Sequence, residues 1–146
     1  MKLIHFAVGA ALLAGATAAT AQDAPRTWEP GPVWTWSMIE VKPGMGDAYL
    51  AYLNGGWKAQ RLARQKAGYE LGYKIISVDD ARDGEANLVL MIQYKNHAAF
   101  DMTPEQDDAV NKAVEASMGK TPPLADREKM RISRGSRTGQ ELVFKK

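Results

Sequence analysis

Val33-Trp34-Thr35-Trp36-Ser37-Met38-Ile39-Glu40-Val41, followed at once by Lys42-Pro43-Gly44, is the stretch whose reading decides the fold. In an extended chain Val33, Thr35, Ser37, Ile39 and Val41 point one way, and Trp34, Trp36, Met38 and Glu40 the other. β-Branched and aromatic residues suit a pleated surface. Pro43 has no N–H to give a ladder, so the strand closes there. Both sides carry apolar side chains. Helices on one face and water on the other would leave a Trp-Trp-Met stripe bare, so the second face calls for another sheet or a ligand.

Downstream, a helix is expected from Met45 or Asp47 to Lys66. Asp47 suits the positive end of the helix dipole. Tyr49, Tyr52, Leu53, Gly56 and Ala63 fall on one face, with Leu50, Trp57 and Leu62 widening the apolar side. Arg61, Arg64 and Lys66 load the last turn, and Gly68 is a natural cap. Gly55-Gly56 in mid-helix predicts a kink or a close backbone contact, with packing on the sheet preferred to a ligand contact. A strand from Tyr69 to Val78, a polar turn over Asp79–Glu85 and a strand from Asn87 to Lys95 read as a hairpin. Asn96 can cap a short helical piece through Met102. Thr103-Pro104-Glu105-Gln106 is a stronger start, with Thr as N-cap, Pro at the first position and Gln at the third. That helix ends at Gly119, and Thr121-Pro122-Pro123 breaks the chain. A short helix over 124–132 and a last strand over 140–145, starting no earlier than Ser136, complete the order.

The order β-α-β-β-α-(α)-β matches the ferredoxin-like split β-α-β arrangement: an α+β fold with a four-stranded antiparallel sheet and helices on one face. On these residues the chain resembles the dimeric α+β barrel superfamily. The resemblance is carried by Val41-Lys42-Pro43-Gly44, by Tyr49-Leu50-Ala51-Tyr52-Leu53 with Trp57, by Lys66-Ala67-Gly68-Tyr69, by the hairpin, and by Asn96-His97-Ala98-Ala99-Phe100. It fits the antibiotic-biosynthesis-monooxygenase-like, NIPSNAP-like and uncharacterised branches alike. It implies a homodimer in which two sheets pack face to face, and a ligand pocket between sheet and helices.

The chain has 146 residues, 45% of them hydrophobic and 25% charged, which suits one globular domain. A formal net charge of +2 is too small to imply nucleic acid. Lys2, the apolar run Leu3–Ala14 and Ala19-Thr20-Ala21 have the form of a signal peptide over residues 1–21, cleaved after Ala21. The run is too short for a membrane span. A periplasmic or secreted protein is therefore expected, with a Pro-rich arm over 22–32 and the folded domain over 33–146. There is no cysteine, so no disulfide and no cysteine-linked lipoprotein anchor are expected.

The chemistry is sparse. His97 alone remains after processing, too few for a multi-His metal site, and at a helix start it reads first as a capping or surface residue. Asp79-x-Ala81-x-Asp83-Gly84 lacks the ligands of a calcium loop. Gly44-x-Gly46 lacks the third glycine of a dinucleotide fingerprint. No metal and no cofactor are expected. Haem-degrading members of the superfamily carry a His later in the helix and an Asn in the first strand, and this chain has neither. Trp34, Trp36, Met38, Tyr73 and Tyr94 are the candidate ligand-binding residues, with Trp34, Trp36 and Met38 expected to face the barrel interior. His97, Tyr73 and Tyr94 are the catalytic candidates if the protein is instead a cofactor-independent monooxygenase-like enzyme. A third reading is an interaction protein, docking through the basic C-terminal end (Arg127, Lys129, Arg131, Arg134, Arg137, Lys145, Lys146).

Overall fold

The computed structural model describes residues 25–118 and 124–146. The expected signal peptide, its cleavage site, Gly119 and the Thr121-Pro122-Pro123 break lie outside the described residues. The elements run β1 (Trp28–Val41), α1 (Gly46–Tyr52), a π-helical turn (Leu53–Trp57), α2 (Lys58–Lys66), β2 (Gly72–Ser77), β3 (Leu88–Tyr94), a 3-10 turn (His97–Phe100), α3 (Pro104–Met118), α4 (Leu124–Met130) and β4 (Arg131–Phe144). The strands form one sheet in the order β2-β3-β1-β4, every neighbouring pair antiparallel. This is the ferredoxin-like α+β arrangement: β1 and β2 flank β3, and the helices cross between them. The sheet of one chain is open rather than closed on itself.

Burial identifies the two faces of β1. Val33 and Ile39 are fully covered, and Ile39 packs in one cluster with Tyr49, Leu53 and Trp57 from the helices and Leu88 and Leu90 from β3. The Val33–Val41 set therefore faces the helices. The strand register puts Trp34, Trp36 and Met38, with Val89, Met91, Lys74 and Ile76, on the side that carries no helix.

The helix interior is organised differently from its sequence pattern. Tyr49, Leu53, Trp57 and Arg61 are buried, one every four residues, while Leu50 and Leu62 are half exposed. An α-helix has 3.6 residues per turn, so a four-residue repeat drifts off the core face within a few turns. The wider π-turn at Leu53–Trp57 absorbs that drift and returns Trp57 and Arg61 to the sheet. Gly55 sits in this turn with open space where a Cβ would project. The expected close packing at the Gly55 backbone is thus absent, and the irregularity has a different cause.

Three boundaries differ from expectation. β1 begins at Trp28 rather than Val33, and the Pro-rich arm is strand from Trp28 onward. β3 stops opposite Val33, so Trp28–Pro32 is bordered only by β4, an edge position where proline is tolerated. β4 begins at Arg131 rather than Ser136 or Gln140, because the polar run Arg131–Gly139 is recruited by the long ladder with β1. A bulge lies in that run between Ser133 and Ser136, where Gly135 takes φ +112, a conformation that favours glycine. β2 is shorter than expected and starts at Gly72.

Local caps follow the sequence. Thr103 N–H donates to Gln106 Oε1 at 2.9 Å and Gln106 N–H to Thr103 Oγ1 at 3.4 Å, a reciprocal capping box. Asn96 Oδ1 accepts from Ala98 N–H at 3.1 Å, but the helical piece it starts ends at Phe100 rather than Met102.

Candidate functional site

The last turns of α2 carry charge on the face that points at the sheet. Arg61 follows Trp57 by one turn, and its guanidinium lies 5.6 Å from the Trp57 ring centroid. Glu70, in the loop after α2, is buried against it: Arg61 Nη1 donates to Glu70 Oε1 at 2.8 Å, and Arg61 Nη2 to Gln60 Oε1 at 2.8 Å. Arg64 stands one turn on. Its Nε is 4.0 Å from Glu70 Oε1, and its Nη2 donates to Asn111 Oδ1 of α3. Asn111 Nδ2 in turn donates to Asp107 Oδ2 at 3.1 Å. A polar chain thus runs from the Glu70 loop through α2 to α3.

This cluster is deeply covered. The Glu70 and Arg61 side chains are 1% and 9% exposed. Burial pushes the Glu70 carboxyl above its ordinary range, outweighing the attraction of Arg61 and then Arg64. Burial likewise lowers Arg61, whose guanidinium nonetheless stays charged. Among the described residues Arg61 Nε, Arg64 Nε, Gln65 Nε2 and Glu70 Oε2 are buried without a hydrogen-bond partner. Buried polar atoms are normally paired, so this concentration marks the cluster out.

Beside it opens a cleft of about 500 Å³ between β3, the 3-10 turn and α3, lined by Arg64, Tyr94, Ala99, Phe100, Met102, Pro104 and Asp107. Tyr94 lines it with its ring 4.8 Å from that of Phe100. Burial raises the Tyr94 hydroxyl, the charge of Glu70 raises it further, and a hydrogen bond to Thr35 opposes both. The cleft joins apolar walls to one cation and one carboxylate, the mixture expected of a small-molecule site.

The five residues expected to bind ligand are divided by the sheet. Tyr94 lines the cleft. Tyr73 is on the same side but meets Trp57 edge-on at 5.2 Å, inside the helix–sheet core. Trp34, Trp36 and Met38 are on the opposite face. There the Lys74 ammonium sits 4.9 Å from the Trp34 ring and the Trp34 indole N–H donates to Glu141. His97 is exposed at the start of the 3-10 turn, its ring 6.3 Å from Phe100. The three catalytic candidates do not converge: Tyr94 and His97 share Phe100 as a neighbour, and Tyr73 stands apart. No cluster of metal-ligating side chains occurs among the described residues.

Sequence reading missed Arg61, Arg64 and Glu70 as a unit. Arg61 and Arg64 looked like charges suited to a helix C-terminus. Their spacing to Trp57 was the available signal, since it continues the buried stripe into two cations. Sequence reading also treated the C-terminal basic residues as one surface. In the fold Arg134 pairs with Glu40, Arg127 and Arg131 with Glu128, and Lys129 with Asp126, so much of that charge is locally neutralised.

Comparison with protein-family models and with curated proteins returns no match. Among solved structures, two dimeric ferredoxin-like proteins from an uncultured marine organism resemble the chain. One is 12% identical, over 81% of this chain and 91% of its own, with a TM-score of 0.47. The other is 17% identical, over 81% of this chain and 99% of its own, with a TM-score of 0.44. The fold itself, an α+β domain built on a four-stranded antiparallel sheet, stands on the strand order and register above.

Proposed function

We propose that the protein is an exported homodimer that binds a small, partly apolar molecule in the cleft over Tyr94. The cleft carries this reading: about 500 Å³ is in the range of small-ligand sites, and Phe100, Met102 and Tyr94 supply flat apolar contact. Export is supported by Lys2, the apolar run Leu3–Ala14 and Ala19-Thr20-Ala21. The dimer is supported by the helix-free face. Its Trp34, Trp36, Met38, Met91 and Ile76 form an apolar field with Lys74 on the β2 edge and Arg137 on the β4 edge, broad and apolar enough to call for a second copy across a twofold axis.

Native mass spectrometry on residues 22–146 from the exported fraction tests the reading. A dimer with added small-molecule mass is expected. Replacing Phe100 by Ala should lose the added mass and keep the dimer, while Trp36→Glu should give monomer. A wild-type monomer at micromolar concentration overturns the dimer. Added mass that survives Phe100→Ala overturns the cleft.

A further inference from the structure

The cluster behind the cleft leaves more buried donors than acceptors without a partner. Among the described residues three buried donor atoms lack a partner, Arg61 Nε, Arg64 Nε and Gln65 Nε2, against one acceptor, Glu70 Oε2. Two guanidiniums share the single Glu70 carboxylate, which gives its one short contact to Arg61. Arg64 is the cation that reaches the cleft wall. A guanidinium has five N–H donors, and the hydrogen bond from its Nη2 to the neutral Asn111 uses one. The carboxylate of the lining, Asp107, accepts from Asn111 rather than from Arg64. The rest of the lining is Tyr94 and the apolar Ala99, Phe100, Met102 and Pro104.

Resting on the small-molecule reading above, we propose that the ligand is an amphipathic monocarboxylate, its carboxylate on Arg64 and its hydrocarbon or aromatic body along Phe100 and Met102. A carboxylate brings two acceptor oxygens in the planar fork a guanidinium prefers, and Arg64 lines the cleft with its Nη2 held, among the described residues, only by the neutral Asn111 and its Nε still 4.0 Å from Glu70. On binding it competes with Asn111 for Nη2. Asn111 is neutral, so the exchange trades an ordinary hydrogen bond for a charge-assisted one. Glu70 takes no ligand contact; it holds the two arginines in place from behind.

Three probes of equal chain length separate the alternatives: octanoate, octanol and octylamine, titrated calorimetrically at pH 7 into the full folded protein. Octanoate should bind at least tenfold tighter than either of the others. Arg64→Gln should abolish that preference, with circular dichroism and oligomeric state unchanged. Asn111→Ala keeps Arg64 and removes its competitor, so it should tighten octanoate while leaving octanol unaltered. Equal binding of all three probes keeps the cleft and overturns the carboxylate. Tighter octylamine overturns it in favour of Asp107 as the recognising group. Octanoate binding that survives Arg64→Gln also overturns it. If no probe binds, the small-molecule reading and the carboxylate fall together.

Discussion

Glu70 is the residue whose environment has the clearest measurable consequence. Its folded-state carboxyl is raised above the ordinary value of 4.5 because burial outweighs the arginines. The folded protein therefore holds the Glu70 proton more tightly than the unfolded chain does. The contribution of this group to stability is fully present below pH 4.5 and is lost as pH rises through the folded-state value. Urea midpoints measured from pH 4 upward should show this loss, and Glu70→Gln should remove it; an unchanged pH profile in Glu70→Gln would refute the assignment. Glu70→Ala is a different perturbation. It leaves Arg61 buried without its partner and should cost about 3–5 kcal/mol. Gly139 is the other telling residue. A Cβ there would stand 2.8 Å from Trp36 Cη2 and 3.1 Å from Cζ3, so the indole occupies the space that a side chain would need. Gly139→Val should push Trp36 outward and destabilise the fold by about 1–3 kcal/mol. The checks are a lower denaturation midpoint and a red-shifted tryptophan emission.

At the scale of elements, the break in the first helix is a device for keeping a four-residue repeat in contact with the sheet. Gly55 is not required there by close packing, since nothing lies within 4 Å of a Cβ at that position. Gly55→Ala should therefore stabilise the protein by about 0.5–1 kcal/mol through the unfolded chain and helix propensity. A thermal midpoint that falls instead would mean that the π-turn needs glycine. The hairpin end of the sheet is tied by Asn87, whose side chain accepts from Val41 N–H at 2.8 Å and donates to Val41 C=O at 3.2 Å. An amide side chain here serves as one more rung of the β1 ladder, just before Leu88, the first β3 residue. These elements were legible in outline from periodicity, turn residues and the capping box. Their ends were less so: β1 and β4 lengthen each other through pairing, and neither strand contains its partner's register.

For the whole molecule, the sheet separates aromatic residues that look alike in the sequence. One face is covered by helices and ends in the Tyr94 cleft with its buried arginine–glutamate cluster. The other is a helix-free field of Trp34, Trp36 and Met38, expected to meet a second copy. A charge placed at Trp36 should change assembly and spare the cleft on the other face, while a change at Phe100 should do the reverse. Analytical ultracentrifugation and ligand titration on the two variants would read the two effects separately. Among the described residues no helix is long and apolar enough to cross a membrane.

Alternation in Val33–Val41, the order of strands and helices, and the Thr103 cap were determined by the sequence itself, because backbone sterics, side-chain period and capping act over a few neighbouring residues. Which face of the first strand meets the helices, the length of β4, the π-turn, and the meeting of Arg61, Arg64 and Glu70 with Tyr94 were decided only by tertiary structure. Each depends on groups far apart in the chain competing for the same buried volume. Such competition leaves no local pattern: Tyr73 and Tyr94 look equivalent to Trp34 and Trp36 in the sequence, and the sheet puts them on opposite sides.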